Sequence, residues 1–229
     1  MRKKTPRKAN VHDVRHYLSL GFRDYTAARF LLLNDFLLQG ATLSSTAVEK
    51  YFKAIFATKG HLIQSHLDDY KKFKSLFGRL DISIFERLDE NYIKLLGEIY
   101  KLRYYDSVIN KVSCGFFKWQ VIGELDYTID LIDKTCYSEL SKPEVPTRYM
   151  QSVNNKNEYV WKENYVLNGL GKKEYMERVT EGVIIHLYRG RHEVIIEPNS
   201  IIPHYNGRIT TVKDINIDPM DLMDKLVQQ

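Results

Sequence analysis

Two stretches carry apolar residues at gaps of three and four, and no other feature restricts the fold of this chain so tightly. Phe85, Leu88, Tyr92, Leu95, Ile99 and Leu102 form one run; Trp119, Ile122, Leu125, Ile129, Ile132 and Cys136 form the other. An α-helix turns once in about 3.6 residues, so each run becomes one apolar face that must be buried against another element. Upstream, Asn10 followed three residues later by Asp13 is a helix-start signal, and Val14, Leu18, Tyr25, Ala28, Leu32 and Phe36 continue at near-helical spacing up to Gly40. Thr42 can cap a second helix, whose stripe of Val48, Phe52, Ile55 and Phe56 runs to a stop at Gly60. Two long helices joined by a short glycine-containing turn make an antiparallel hairpin. With a shorter helical piece between His66 and Phe77, the spacing predicts a bundle of about five helices over residues 11–138.

Beyond Ser138 the texture changes. The stretch "SKPEVPTRYMQSVNNKNE" contains Pro143, Pro146 and an asparagine-rich run without helical period, which reads as a linker over 139–157. "GVIIHLY", "HEVIIEP" and "SIIPHY" are short, rich in β-branched residues and punctuated by turn residues, among them Asn206-Gly207. Asp218-Pro219 is a helix start. The expected fold class is therefore α+β: a basic tail over 1–10, an up-and-down helical bundle over 11–138, a linker, and a small β-rich unit over 158–229 with a short terminal helix.

Composition narrows the function classes. The 229 residues are 44% hydrophobic and 28% charged, and the most apolar run, "FLLLNDFLL", is interrupted by Asn34 and Asp35. It falls short of the roughly 20 residues of a membrane span. Only two cysteines occur, Cys114 and Cys136, which fits a reducing compartment and excludes a four-thiolate metal site. No apolar segment follows the basic start "MRKKTPRK", so a cytoplasmic protein is expected. The net charge of +5 is accounted for by Arg2, Lys3, Lys4, Arg7 and Lys8 alone, so charge does not by itself make the chain a nucleic-acid binder. His186, His192 and His204 lack metal-site spacing, and "GLGKKE" lacks the full spacing of a phosphate-binding loop. No cofactor or metal is expected.

One segment, "STAVEKYFKAIF" from Ser45 to Phe56, combines several roles. Ser44, Ser45 and Ala47 let a neighbouring helix approach closely, while Val48, Phe52 and Ile55 fill a core. Glu49 and Lys53 stand one turn apart, a pairing worth a few tenths of a kcal/mol on an exposed helix. They form either a solvated helix pair or part of a site. Arg103 to Asp106 likewise reads either as an ion pair closing a turn or as an anion clamp in which Tyr104 or Tyr105 stacks on a base.

The order "DYTAARFLL", "STAVEKYFKAIF", "SHLDDY", "YKLRYYD" and a final long helix resembles the HEPN domain family over residues 11–138. Ala47, Glu49, Lys50, Lys53 and Ala54 match that family's second-helix pattern. His66 stands for its third-helix histidine, with Leu67 one position early. Arg103, Tyr104 and Asp106 match a segment in which Tyr105 replaces the usual proline. The resemblance implies a helical homodimer with a polar cleft, in a family that includes ribonucleases, nucleotide binders and nucleotidyltransferase-associated subunits. Its ribonuclease branch places a histidine four to six residues after an arginine; here Val108, Ile109 and Asn110 occupy that window. Arg7 and His12 have the right separation, but they fall in and just after the basic tail. The expectation is a non-catalytic module that binds a nucleotide or RNA end through Glu49, Lys53, His66, Arg103, Tyr104 and Asp106. The alternatives are a divergent metal-independent ribonuclease and an accessory or antitoxin-type partner of a nucleotidyltransferase.

Overall fold

An Asn10–Asp13 capping box opens the first helix, α1 (Val11–Leu33): the Asp13 amide donates to Asn10 Oδ1 at 3.0 Å and the Asn10 amide to Asp13 Oδ2 at 2.9 Å. The computed structural model describes residues 8–63, 66, 70–101, 112–140, 145–177, 182–188 and 191–197. Helix α2 (Leu37–Thr58) returns antiparallel to α1 and is buried along nearly its whole length. The turn between them comes earlier than the sequence suggests, because Asn34 Nδ2 donates to the Phe30 carbonyl at 2.7 Å and Asp35 adopts φ 63°. Gly40 and Thr42 therefore lie inside α2 rather than in the turn. Their neighbourhood requires the glycine: a Cβ on Gly40 would come within 2.7 Å of Leu32 Cγ, just as one on Gly21 would meet the Tyr51 ring at 2.7 Å. The two helices pack almost backbone to side chain.

Helix α3 (Tyr70–Arg79), a 3₁₀ turn (Ser83–Arg87) and α4 (Glu90–Lys101) cover one side of α2. Phe52 sits at the junction, with ring centroids 5.1 Å from Phe73 and 4.9 Å from Phe77, both edge-on. Helix α5 (Lys118–Glu139) packs against α2 and α1. Its expected stripe is core: Ile122, Leu125, Ile129, Ile132 and Cys136 are fully buried, and Trp119 packs against their rim. The helical bundle over the N-terminal part is thus present.

Three features differ from the sequence expectation. First, Val112–Phe117 is a strand, β1, within the stretch assigned wholly to helices. "VSCGFF" has no helical period, and its β-branched and aromatic residues suit a ladder. Second, the linker and the start of the β-rich unit are helical: α6 (Arg148–Asn154), α7 (Glu158–Trp161), α8 (Tyr165–Asn168) and α9 (Lys172–Glu177). The polar residues that read as a loop are caps instead. Thr147 Oγ1 accepts from the Met150 amide at 3.1 Å, Asn157 Oδ1 from Tyr159 at 3.0 Å and Asn164 Oδ1 from Leu167 at 3.3 Å. Third, β2 (Gly182–Tyr188) and β3 (Arg191–Glu197) do not found a unit of their own. They extend β1 into one antiparallel sheet of order β1-β2-β3, with Val112 opposite Leu187, Phe117 opposite Gly182, and Tyr188 opposite Arg191. The rest of the proposed β-rich unit, including Asn206-Gly207, His204 and the terminal helix, lies outside the described residues, as does the basic tail up to Arg7. Among the described residues no helix is long and apolar enough to cross a membrane.

Candidate functional site

Glu49 and Lys53 occupy successive turns of α2, on the side turned towards α4 and the segment after α2. Lys53 Nζ donates to Glu49 Oε1 at 2.7 Å. Neither is a solvated surface group: Glu49 is 7% and Lys53 8% exposed. The structure adds His66 to the pair. Its Nδ1 lies 3.2 Å from the same Glu49 Oε1, although 17 residues separate the two in sequence. Because a carboxylate that already accepts from an ammonium offers only acceptor atoms, His66 Nδ1 is the protonated nitrogen of this contact. The other ring nitrogen has no partner among the described residues, and the side chain is 64% exposed.

Several contacts hold this arrangement. Lys72 Nζ on α3 donates to the His66 carbonyl at 2.8 Å, and the His66 ring lies 5.4 Å from that of Tyr100 on α4, tilted by 37°. Ser45 Oγ donates to the Leu96 carbonyl at 3.0 Å, fixing α4 against α2 one turn before Glu49. Lys50, also part of the family-like pattern, faces elsewhere and pairs with Asp24 of α1 at 2.5 Å. Of the six candidate residues, Glu49, Lys53 and His66 are therefore brought together; Arg103, Tyr104 and Asp106 lie outside the described residues. Among the described residues no group of histidine, cysteine, aspartate and glutamate side chains could hold a metal ion.

A second polar cluster, unforeseen in the sequence, runs along α5 and receives the short helices. Tyr25 OH donates to Asp126 Oδ1 at 2.9 Å. Arg29 pairs with the other Asp126 oxygen and also reaches the carbonyls of Tyr159, at 3.1 Å, and Lys162. Tyr149 OH donates to Asp130 Oδ1 at 2.9 Å, and Asp133 accepts from Thr147 Oγ1 at 2.5 Å and Tyr51 OH at 3.2 Å. Lys172 of α9 bonds both oxygens of Glu124, at 2.6 and 2.9 Å. Arg29, Asp126 and Asp133 are fully buried. Burial pushes Asp126 up to about 6, against the pull of Arg29, and raises Asp133 to about 7 against hydrogen bonds from Thr147 and Tyr51. Burial likewise takes Glu124 to about 7 despite Lys172. These carboxyls are occupied from within the chain, so they fasten α6 to α9 onto the bundle rather than receive a ligand.

Comparison with protein-family models, with curated proteins and with solved structures gives no match to this chain. Its chemistry is accordingly read from its own residues. The Glu49 patch offers a buried carboxylate, a buried ammonium and an accessible imidazole resting on a phenol ring. Such a set can hydrogen-bond a polar ligand, neutralise an anion and stack on a flat ring.

Proposed function

We propose that the chain is a HEPN-like helical binding module, non-catalytic, that recognises a nucleotide or RNA end at the polar face of α2. The observation that carries this reading is the convergence of Lys53 and His66 on one oxygen of Glu49, beneath an imidazole that is mostly exposed. An exposed aromatic ring supplies a stacking surface for a base, and each base stacked on such a ring contributes about 1–3 kcal/mol. Lys53 and the His66 ring would meet the phosphate, and Glu49 would hold both in place. Arg103, Tyr104 and Asp106 join the site by family resemblance alone. That resemblance also supports a homodimer, against which a concentration-independent monomer mass in light scattering would count.

The test is calorimetric titration with nucleoside monophosphates and with a 5′-phosphorylated oligoribonucleotide. Binding weakened at least tenfold by His66→Ala and by Lys53→Met is the expected result; affinity unchanged in both variants would remove the site.

A second reading, a divergent metal-independent ribonuclease, is favoured by one feature. An imidazole oriented by a carboxylate, with its other nitrogen unpartnered among the described residues, is a proton-transfer group. No cleavage of RNA by the wild-type protein is expected. Cleavage that vanished in His66→Ala would replace the binding module with this enzyme.

A further inference from the structure

At the far end of α1 from the turn into α2, a cleft of about 260 Å³ opens between α1 and the segment that leads into α6. Arg15 and Ser19, one turn apart on α1, line one wall, and Arg148 of α6 lines the other. Leu18, Leu140 and Val145 supply apolar surface between them. Val145 is half exposed, at 51%.

Charge makes this cleft unusual. The acids of this end of the bundle are already engaged: Asp130 by Tyr149 and Lys134, Asp133 by Thr147 and Tyr51, and Glu139 by Thr58 and Lys59. Lys53, Lys59, Lys118, Lys134 and Lys172 each meet a carboxylate. Arg15 and Arg148 do not; among the described residues neither has an acidic partner, and both line one concavity. Two arginines lining a shared space with no acidic partner among the described residues are suited to a planar or tetrahedral oxyanion, to which each guanidinium can donate more than one hydrogen bond. The Ser19 hydroxyl adds a donor on the same wall. The volume lies just below the roughly 300 Å³ at which pockets for drug-sized ligands begin, which suits a small molecule rather than a polymer.

We propose that this cleft is a second binding site, for a small phosphomonoester whose phosphate is held between Arg15 and Arg148 and whose apolar body rests on Leu18, Leu140 and Val145. It is distinct from the α2 patch and stands or falls separately.

Titration of the full chain with phenyl phosphate, inorganic phosphate and phenol in phosphate-free buffer tests it. Phenyl phosphate should bind one per chain, inorganic phosphate at least tenfold more weakly, and phenol not at all. Arg15→Gln and Arg148→Gln should each weaken phenyl phosphate at least tenfold with an unaltered thermal midpoint. Arg23→Gln, on α1 but outside the cleft, should leave it unchanged. Absence of phenyl phosphate binding at millimolar concentration, or affinity retained in both cleft variants, overturns the site. Equal affinity for inorganic and phenyl phosphate overturns the role of the apolar wall, and loss of binding in His66→Ala assigns the anion to the α2 patch instead.

Discussion

The α2 patch and the α5 ladder use the same chemistry, carboxylates meeting cations and hydroxyls, and reach opposite ends with it. On α5, Asp126, Asp130 and Asp133 each accept from at least two groups of the same chain, and the helices that supply some of those groups close over them. On α2, Glu49 accepts from Lys53 and His66 among the described residues, and His66 keeps most of its ring in solvent. The lesson is that a buried carboxylate does not by itself mark a site. What distinguishes the two regions is what covers the carboxylate: α6 and α7 close over Asp126 and Asp133, whereas Glu49 leads to an aromatic ring left in solvent.

The comparison breaks most forcefully at Arg29. Asp126→Ala leaves that fully buried guanidinium without its carboxylate, and removing one partner of such a pair costs about 3–5 kcal/mol. The expected result is a fall of that size in stability by urea titration, with limited proteolysis releasing the segment from Arg148 to Glu177. Proteolytic resistance equal to wild type would show that apolar contacts alone hold it.

A pH series probes the same ladder without mutation. Asp126, Asp133 and Glu124 have folded-state pKa values of about 6, 7 and 7, above the ordinary carboxylate range. Between that range and these values the folded state binds more protons than the unfolded state, so the contribution of these groups to stability declines as pH rises. It is fully present below about pH 4 and lost on passing through pH 6 to 7, with other groups superimposed. One such group loses on the order of 2 kcal/mol between pH 5 and 8. Asp133→Asn should flatten the slope of urea midpoint against pH; an unaltered slope would place the titration elsewhere.

Smaller effects sharpen the contrast. Tyr149→Phe removes one buried hydroxyl from Asp130 and should cost about 1 kcal/mol, read from the urea midpoint. His66→Ala, at an exposed ring, should change stability by no more than about 0.5 kcal/mol while still weakening nucleotide binding. A destabilisation as large as that of Tyr149→Phe would make His66 part of the scaffold rather than of the site.

Legibility in the sequence follows the same division. The apolar stripe of α5 can be read directly, because burial against α2 imposes a helical period on Ile122, Leu125, Ile129 and Ile132. The acids of that helix cannot. Asp126, Asp130 and Asp133 also recur at gaps of four and three, and such a polar stripe has every appearance of a solvent face. It is covered by helices of four to seven residues, too short to carry a period of their own. Their local signals are the caps Thr147, Asn157 and Asn164 and the closing Gly169, residue types that serve turns equally well. At the α2 patch the one-turn spacing of Glu49 and Lys53 is visible in the sequence, but their burial is not, since it depends on α4. His66 reaches Glu49 through tertiary folding, and no local pattern announces that meeting. Strand β1 was hidden for a related reason: its partner, β2, lies far along the chain.

The position of β1 has a consequence for the order of events as the chain folds. Phe117 pairs with Gly182, so the sheet closes only after the intervening chain, from α5 through α9, has found its place. The β2–β3 hairpin joins neighbouring segments and can form within roughly 1–10 μs. The β1–β2 ladder must first overcome the closure entropy of a long loop, and contacts of that kind slow folding. Pulse-labelled hydrogen exchange should accordingly protect the amides of β3 facing β2 before those of β1. The β1–β2 ladder would then be the last part of the sheet to close.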